Sequence, residues 1–484
     1  MRGQFASIQA AVDAAQPGDW ILIGPGDYHE QGDRDPRYAS LARIGAGVMI
    51  TKPDLHIRGM RRGGVVIDGT RPGSRRCSRA GVNQDFGPLD ARGFALGRNG
   101  VEVWKAGGVT IENLTVCNFL QGVGDTGTQV WFNGGDGSGR IGLGAYRAAY
   151  VTATSTFFSA GPTEAAEYGI FTSNDDGPGI VTHSYASNMA QAAYYIGACR
   201  DCGQVLTSSR AEYSALGFLS TNAGGRLSIA DSEWDHNRTG LLAVSENNED
   251  APSPQDGLCP RSASRSCTVY RDNDIRDNND AQAPFTSLTS LAPVGAGMVI
   301  AGGRHDTVVR NRVTGNGSWG ILLAPFLDTN SPALRTRSRC RAGVLAFIVA
   351  CYYDDFGNRV AANTLGDNGA FRNPSNGDLA ELSGPGGEGN CWQANVDQAG
   401  LTSTPAGLQE PAGQCGGAPG LTDPLFSQLL CADQTFGTCA TAPGMAYPRP
   451  TRVRLHPLPA GLESMPDPCR GPPPNAFCQP ARYR

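Results

Sequence analysis

The stretch Leu227–Leu242, LSIADSEWDHNRTGLL, sets Asp231, Glu233, Asp235 and His236 within six residues. Carboxylates beside an imidazole can move protons, and clustered carboxylates can hold a cation. A second group, TSNDDGPG, contains the adjacent Asp175 and Asp176. Further polar runs follow at Arg200–Asp201, at Glu246 and Glu249, and at Arg304–His305–Asp306. Two carboxylates in unequal environments can act as acid and base in glycoside hydrolysis. The candidates for that work are Asp175, Asp176, Asp201, Glu246 and Arg304, with Arg200 and His305 beside them to bind substrate. No motif demands a cofactor. The same oxygens could hold Ca²⁺, which takes six to eight of them. Of the 40 basic residues only Lys52 and Lys105 are lysine, so a lysine base has two candidates.

Such groups can meet only if the chain stacks them, and the chain repeats. Ile229, Trp234 and Asn237 mark a spacing of an apolar residue, a second one five positions on, and an amide or small residue three further. The same offsets fit Val109/Leu114/Cys117, Ile180/Tyr185/Asn188, Leu206/Ala211/Ser214, Tyr270/Ile275/Asn278, Val308/Val313/Asn316 and Val360/Leu365/Asn368. From 180 to 206 is 26 residues and from 206 to 229 is 23, a period of one solenoid coil. A Gly commonly follows each anchor and opens a short apolar strand: GIFTS, GFLST, GLLAV, GMVIA, GILLA. These segments are too short and too β-branched for helices. Asn at a tight corner tolerates left-handed backbone and bonds its neighbours. On this pattern SEWDHN is one coil, and Glu233, Asp235 and His236 lie between anchors, pointing outward.

The opening segment differs. Ile8, Ala11, Val12 and Ala15 recur at helical spacing behind Ser7 as N-cap, and Pro17-Gly18 stops the helix. Trp20–Ile23 reads as a buried strand. A short amphipathic helix of this kind can cover the open end of a first coil. This helix, the strand and turn PGDWILIGPGDYHE, and the Asn-marked coils resemble the right-handed parallel β-helix, or pectin-lyase-like, superfamily over about Phe5 to Leu382. The resemblance implies a fold class that is all-β: a single-stranded right-handed parallel β-helix solenoid with an N-terminal capping helix. It also implies a carbohydrate-active protein, a polysaccharide lyase or a glycoside hydrolase. Asp175-Asp176 matches the Asp-Asp pair of polygalacturonase-like members, but the Gly-His-Gly that accompanies it there does not occur in this chain. No mechanism transfers on motifs alone.

The strands after Gly align into two ladders: Ile170, Tyr194, Phe218, Leu241, Met298, Ile321 and Phe171, Tyr195, Leu219, Leu242, Val299, Leu322. Adjacent strand residues face opposite ways, so one ladder fills the core and the other must be covered or must bind something. Phe171 and Tyr195 could stack on sugar rings. Tail and partner chain are the alternative covers. Arg58 to Arg79 is rich in Arg and could dock an anionic polysaccharide. Cys199 and Cys202 read as a staple rather than a redox pair.

A formal net charge of -5 gives no basic surface for a nucleic-acid partner. No apolar run is long enough to span a membrane. The 14 Cys, several close together, point to disulfide staples and a secreted protein whose signal peptide has been removed. Beyond about Gly384 the repeat stops and Gly, Pro and Cys dominate. The expected domains are a β-helix over residues 1–383 and an irregular, disulfide-stapled extension over 384–484, wrapped along the solenoid. The expected partner is a polysaccharide or other glycan. A non-catalytic surface or glycan-binding β-helix is the alternative.

Overall fold

The computed structural model describes residues 4–32, 45–123, 126–159, 164–245, 267–286, 293–328, 344–345, 350–383, 389–409, 424–432, 447–448 and 452–478. They build a right-handed parallel β-helix. Three parallel sheets, A, B and C, hold eleven strands each, one strand per coil. The chain visits them in turn, so each strand pairs with the strand one coil later and the crossovers take the right-handed sense of parallel strands. Sheets A and B have short strands, such as Leu227–Ala230 and Glu233–Asp235, and sheet C has longer ones, such as Thr239–Val244.

The cap forms as its sequence requires. The helix is Ile8–Ala14, Ser7 accepts from the Ala10 N–H, and Ile8 and Val12 are buried against the first coil. The strand Trp20–Ile23 follows. The sheet C ladders pair in the expected register, from Ile170 to Tyr194, Phe218, Leu241, Met298 and Ile321. All six lie in the main core.

Two anchor assignments need correction. Ile180 pairs with Val205, and Val181 pairs with the core residue Leu206, so the coil is shifted by one position. One residue of slip turns a side chain to the other face, and Ile180 is half-buried. Adjacent Ile and Val are equally apolar, so the pattern could not choose between them. In the earlier coil Ile111, not Val109, aligns with Ala148 and Val181. The stack also continues past Ser383, through Cys391–Gln393, Val396–Asp397 and Ser403–Thr404.

Asn residues close all three corners, not one. Asn273, Asn311, Asn363 and Asn395 run along the A-to-B corner, and each side chain accepts the backbone N–H of the corner residue one coil earlier, Ser232 for Asn273 and an Asn for the rest. Asn237, Asn278, Asn316 and Asn368 do the same at the B-to-C corner, starting from the Ser214 N–H. Asn358 and Asn390 follow Asp306 at the third. The residue before each A-to-B ladder position is left-handed without being Gly: Asp272 at φ 57°, Arg310 at 56°, Ala362 at 54° and Ala394 at 52°. The amide ladder holds the chain in that disfavoured conformation.

The extension is partly regular. A helix, Leu425–Ala432, lays Leu425, Phe426 and Leu429 on Val299, Leu322, Ala380 and Leu382. It thereby covers the C-terminal half of the outer ladder. Residues 452–478 run back toward the first coils. Asn188 and His456 exchange two hydrogen bonds, Met465 N–H donates to Asn113, and Arg58 donates to the carbonyls of Pro468 and Arg470. Disulfides join Cys77–Cys117, Cys199–Cys202 and Cys469–Cys478. No helix among the described residues is long and apolar enough to cross a membrane.

Candidate functional site

The outward face of sheet B carries the densest chemistry. Ala186, Ala211, Trp234 and Ile275 stack one above the other and face the core. The residues on either side of them must therefore face out. One outward ladder reads Tyr185, Arg210, Glu233, Asp274, Arg312, and the other Ser187, Glu212, Asp235, Arg276. Parallel pairing alone thus sets Glu212 beside Asp235.

Arg210 bridges these two carboxylates. It donates to Glu212 at 2.5 Å and to both oxygens of Asp235 at 3.1 and 3.0 Å. The Tyr185 hydroxyl donates to Glu212 at 2.9 Å. Asp235 also meets Arg276 at 3.1 Å and the His236 Nδ1 at 2.8 Å. Asp235 is fully buried, whereas the side chain of His236 is 43% exposed. Burial and the neighbouring Asp235 charge raise the Glu212 carboxyl, against the opposing field of Arg210. Burial also works to raise Asp235, but its hydrogen bonds to His236 and Arg210 win and hold it below the ordinary range. The bond to Asp235 raises His236 in turn, against burial. The result is an imidazole fixed by a buried carboxylate, with Nε2 as its remaining ring nitrogen. Tyr213 lies 5.6 Å from the His236 ring, and His456 of the extension stacks on Tyr213 at 3.8 Å and 5°.

Glu212, Asp235 and His236 offer three ligand atoms within 4.8 Å of one another. Their donors do not suit Ca²⁺. Two guanidinium groups already neutralise the carboxylates, and Ca²⁺ wants six to eight oxygens. Along the C-to-A edge, whose oxygens could hold Ca²⁺ on the sequence, no comparable three-residue group occurs among the described residues, which do not include Glu246 and Glu249.

At that edge, the C-to-A corner, lie Asp175, Asp176, Arg200, Asp201, Arg304 and His305 of the residues proposed from the sequence. Asp175 is fully buried, its Oδ1 accepting from the Gly177 N–H at 2.5 Å. Burial pushes its carboxyl up to about 7, against the Gly177 bond and with help from Asp176. Asp176 and Arg200 are exposed. Asp201 pairs with Arg226 at 2.8 Å. Arg304 stacks over Phe356 at 4.4 Å and His305 meets the same ring edge-on. Arg304 and His305 follow a strand four coils beyond that of Asp175, roughly 19 Å at strand spacing, so the two groups do not converge. Glu246 and Glu249 lie outside the described residues. Phe171 and Tyr195 stack at 4.1 Å and 4°, with Tyr168 and Trp131 edge-on to Phe171, but Tyr195 is buried in an apolar cluster with Ala192, Leu216 and Leu219, so of the two only the half-buried Phe171 is open to a sugar ring. The Arg-rich stretch splits. Arg58 and Arg62 are buried fasteners for the extension, Arg58 also pairing with Glu112 at 2.6 Å.

Tyr185, Arg210, Glu212 and Arg276 were missed in the sequence. Their signal was present. Once Ala211 is aligned with Trp234, the flanking residues of RAE and EWD become cross-strand neighbours.

No family model matches the chain, and no curated protein matches it. Among solved structures it is similar to the A-module of the Azotobacter vinelandii mannuronan C-5 epimerase AlgE6, at 14% identity over 81% of this chain and 89% of that one, with a TM-score of 0.48. It is similar to a mannuronic acid specific polysaccharide family 6 lyase from human gut microbiota, at 13% identity over 79% and 78%, TM-score 0.40. It is also similar to a pectate lyase, at 13% identity over 82% and 76%, TM-score 0.33. These likenesses are of fold.

Proposed function

We propose that this chain is a carbohydrate-acting β-helix protein that transfers protons on an acidic polysaccharide, with His236 as the acid–base group on sheet B. The carrying observation is the Asp235–His236 pair, a buried carboxylate bonded at 2.8 Å to a half-exposed imidazole. An imidazole so held is poised to take or give a proton at near-neutral pH. Tyr213 and His456 form an aromatic platform beside it for the CH face of a sugar. Of the two reaction classes, elimination fits better than hydrolysis. Hydrolysis needs two carboxyl groups free to act as acid and base or nucleophile. Glu212 and Asp235 are instead both engaged by Arg210. In elimination a base removes the proton beside the uronate carboxyl, the glycosidic C–O bond breaks, and a ring double bond forms as the leaving oxygen gains a proton.

The test is a panel of acidic and neutral polysaccharides, with unsaturated ends followed by ultraviolet absorbance and hydrolysis by reducing ends. The expected result is unsaturated product from an acidic polymer, reduced by ~100-fold or more in His236→Ala. Product that is undiminished in that variant would move the chemistry elsewhere, with Asp176 and Asp201 on the C-to-A edge next to be tested. A binding role rests on Phe171 alone of the two rings proposed for it, since Phe171 is half-buried and Tyr195 beneath it is buried. Retained glycan binding with no product from any polymer, lost in Phe171→Ala, would favour that second reading. The disulfides support secretion into an oxidising compartment.

A further inference from the structure

Arg238, next to Asn237 at the B-to-C corner, is fully buried. A buried guanidinium normally sits in a fork of acceptors, because an uncompensated charge away from water is costly. Here no hydrogen-bond acceptor among the described residues reaches Nε, Nη1 or Nη2. The backbone around it is fully used: Arg238 N–H donates to Ser214 and its carbonyl accepts from Gly295. One contact is made by the guanidinium itself, its carbon standing 4.8 Å from the centre of the Phe285 ring. A ring face accepts no ordinary hydrogen bond, so that contact pairs none of the donors. The five N–H donors of the planar group lie in its plane and are left for something else. Asp280 is the carboxylate whose field acts on Arg238, yet it accepts from the Gln282 N–H at 2.8 Å and makes no hydrogen bond to Arg238. Burial pushes the guanidinium down to about 10, so it remains charged at neutral pH.

We propose that Arg238 binds a small monovalent inorganic anion of halide size, enclosed at the B-to-C corner between Phe285 and the coil that carries Asn237. A halide accepts several N–H donors and places a counter-charge in direct contact with the guanidinium, which Asp280 does not do. Buried water would meet the donors but not the charge. The site is distinct from the chemistry assigned to His236 and stands whether or not that assignment holds.

Bromide is the probe. Crystals of the full chain grown in sodium bromide should show an anomalous peak within hydrogen-bonding reach of the Arg238 guanidinium. In solution, the Tm should rise by several degrees when sodium gluconate is replaced by sodium chloride or bromide at constant ionic strength. Arg238→Met keeps the side-chain length and removes the charge, and its Tm should no longer depend on the anion. If Arg238→Met does not fold, the wild-type diffraction and Tm still decide. No anomalous peak at Arg238 with a Tm indifferent to the anion overturns the proposal. So does an anion effect of equal size in Arg238→Met.

Discussion

Asp175 shows how one side chain separates structure from catalysis. It is fully buried with one hydrogen bond to its carboxylate, and burial pushes it up to about 7. Its folded value stands above its unfolded one. The native state therefore holds its proton more tightly, and the associated stability is fully present below about pH 4. It is lost as pH rises through about 7. Asp175→Asn removes the charge and keeps an oxygen for the Gly177 N–H. It should match the wild type in Tm at pH 4 and exceed it at pH 8, with thermal unfolding as the measurement. His236 has the opposite arrangement, half-exposed itself and held by a buried acid. The exposed ion pairs around it, such as Arg312–Asp274, add little stability on their own. Asp175 was legible in the sequence as part of an acidic pair, but its burial was not. Burial depends on which corner of the coil encloses it, and a string of Asp and Gly does not state that.

At the scale of the element, the corners carry the stack. Asn311 accepts from the Asn273 N–H at 3.0 Å and donates to the Tyr270 carbonyl at 3.0 Å and to Asn363 at 3.0 Å. Asn311→Ala takes these bonds from the Asn273 N–H and the Tyr270 carbonyl, at about 1–3 kcal/mol each, while Asn363 still accepts the backbone N–H of residue 311. Denaturant unfolding should show a loss of about 2–4 kcal/mol, and a loss under 0.5 kcal/mol would count against the ladder's role. The later coils were legible because Asn marks them. The earlier ones place Ser184, Ser209 and Ser232 at the same corner, where a hydroxyl does part of the same work. Ser is common in any loop, so it gave no frame, and the assignments at Val109 and Ile180 slipped. The helix Leu425–Ala432 was hidden in Gly- and Pro-rich sequence for a similar reason. Its eight residues show their apolar face only against the ladder they cover.

At the scale of the whole molecule, the extension fastens the far end of the chain to its first coils. Arg62 is nearly buried and donates to the carbonyls of Glu463, His183 and Val151 and to the Thr152 hydroxyl. Arg62→Met removes these bonds. Limited proteolysis should then cut within residues 452–478 several-fold faster than in the wild type, while the solenoid stays resistant. Equal cutting rates would mean that the remaining contacts suffice. The same extension brings His456 to Tyr213, next to His236, so the site joins two parts of the chain far apart in sequence. Pattern reading found the coil of Asp235 and His236 but could not find His456, because nothing local ties residue 456 to sheet B.

The most direct measurement of the central claim is the pH dependence of turnover on an acidic polysaccharide, for the wild type, Asp235→Asn and His236→Ala. The bond to Asp235 raises His236 above the usual imidazole value of about 6.5. The wild-type profile should break above that value, and Asp235→Asn should move the break down toward it. His236→Ala should lose ~100-fold in rate and the break itself. A break that stays in place in Asp235→Asn, or full activity in His236→Ala, would contradict the account.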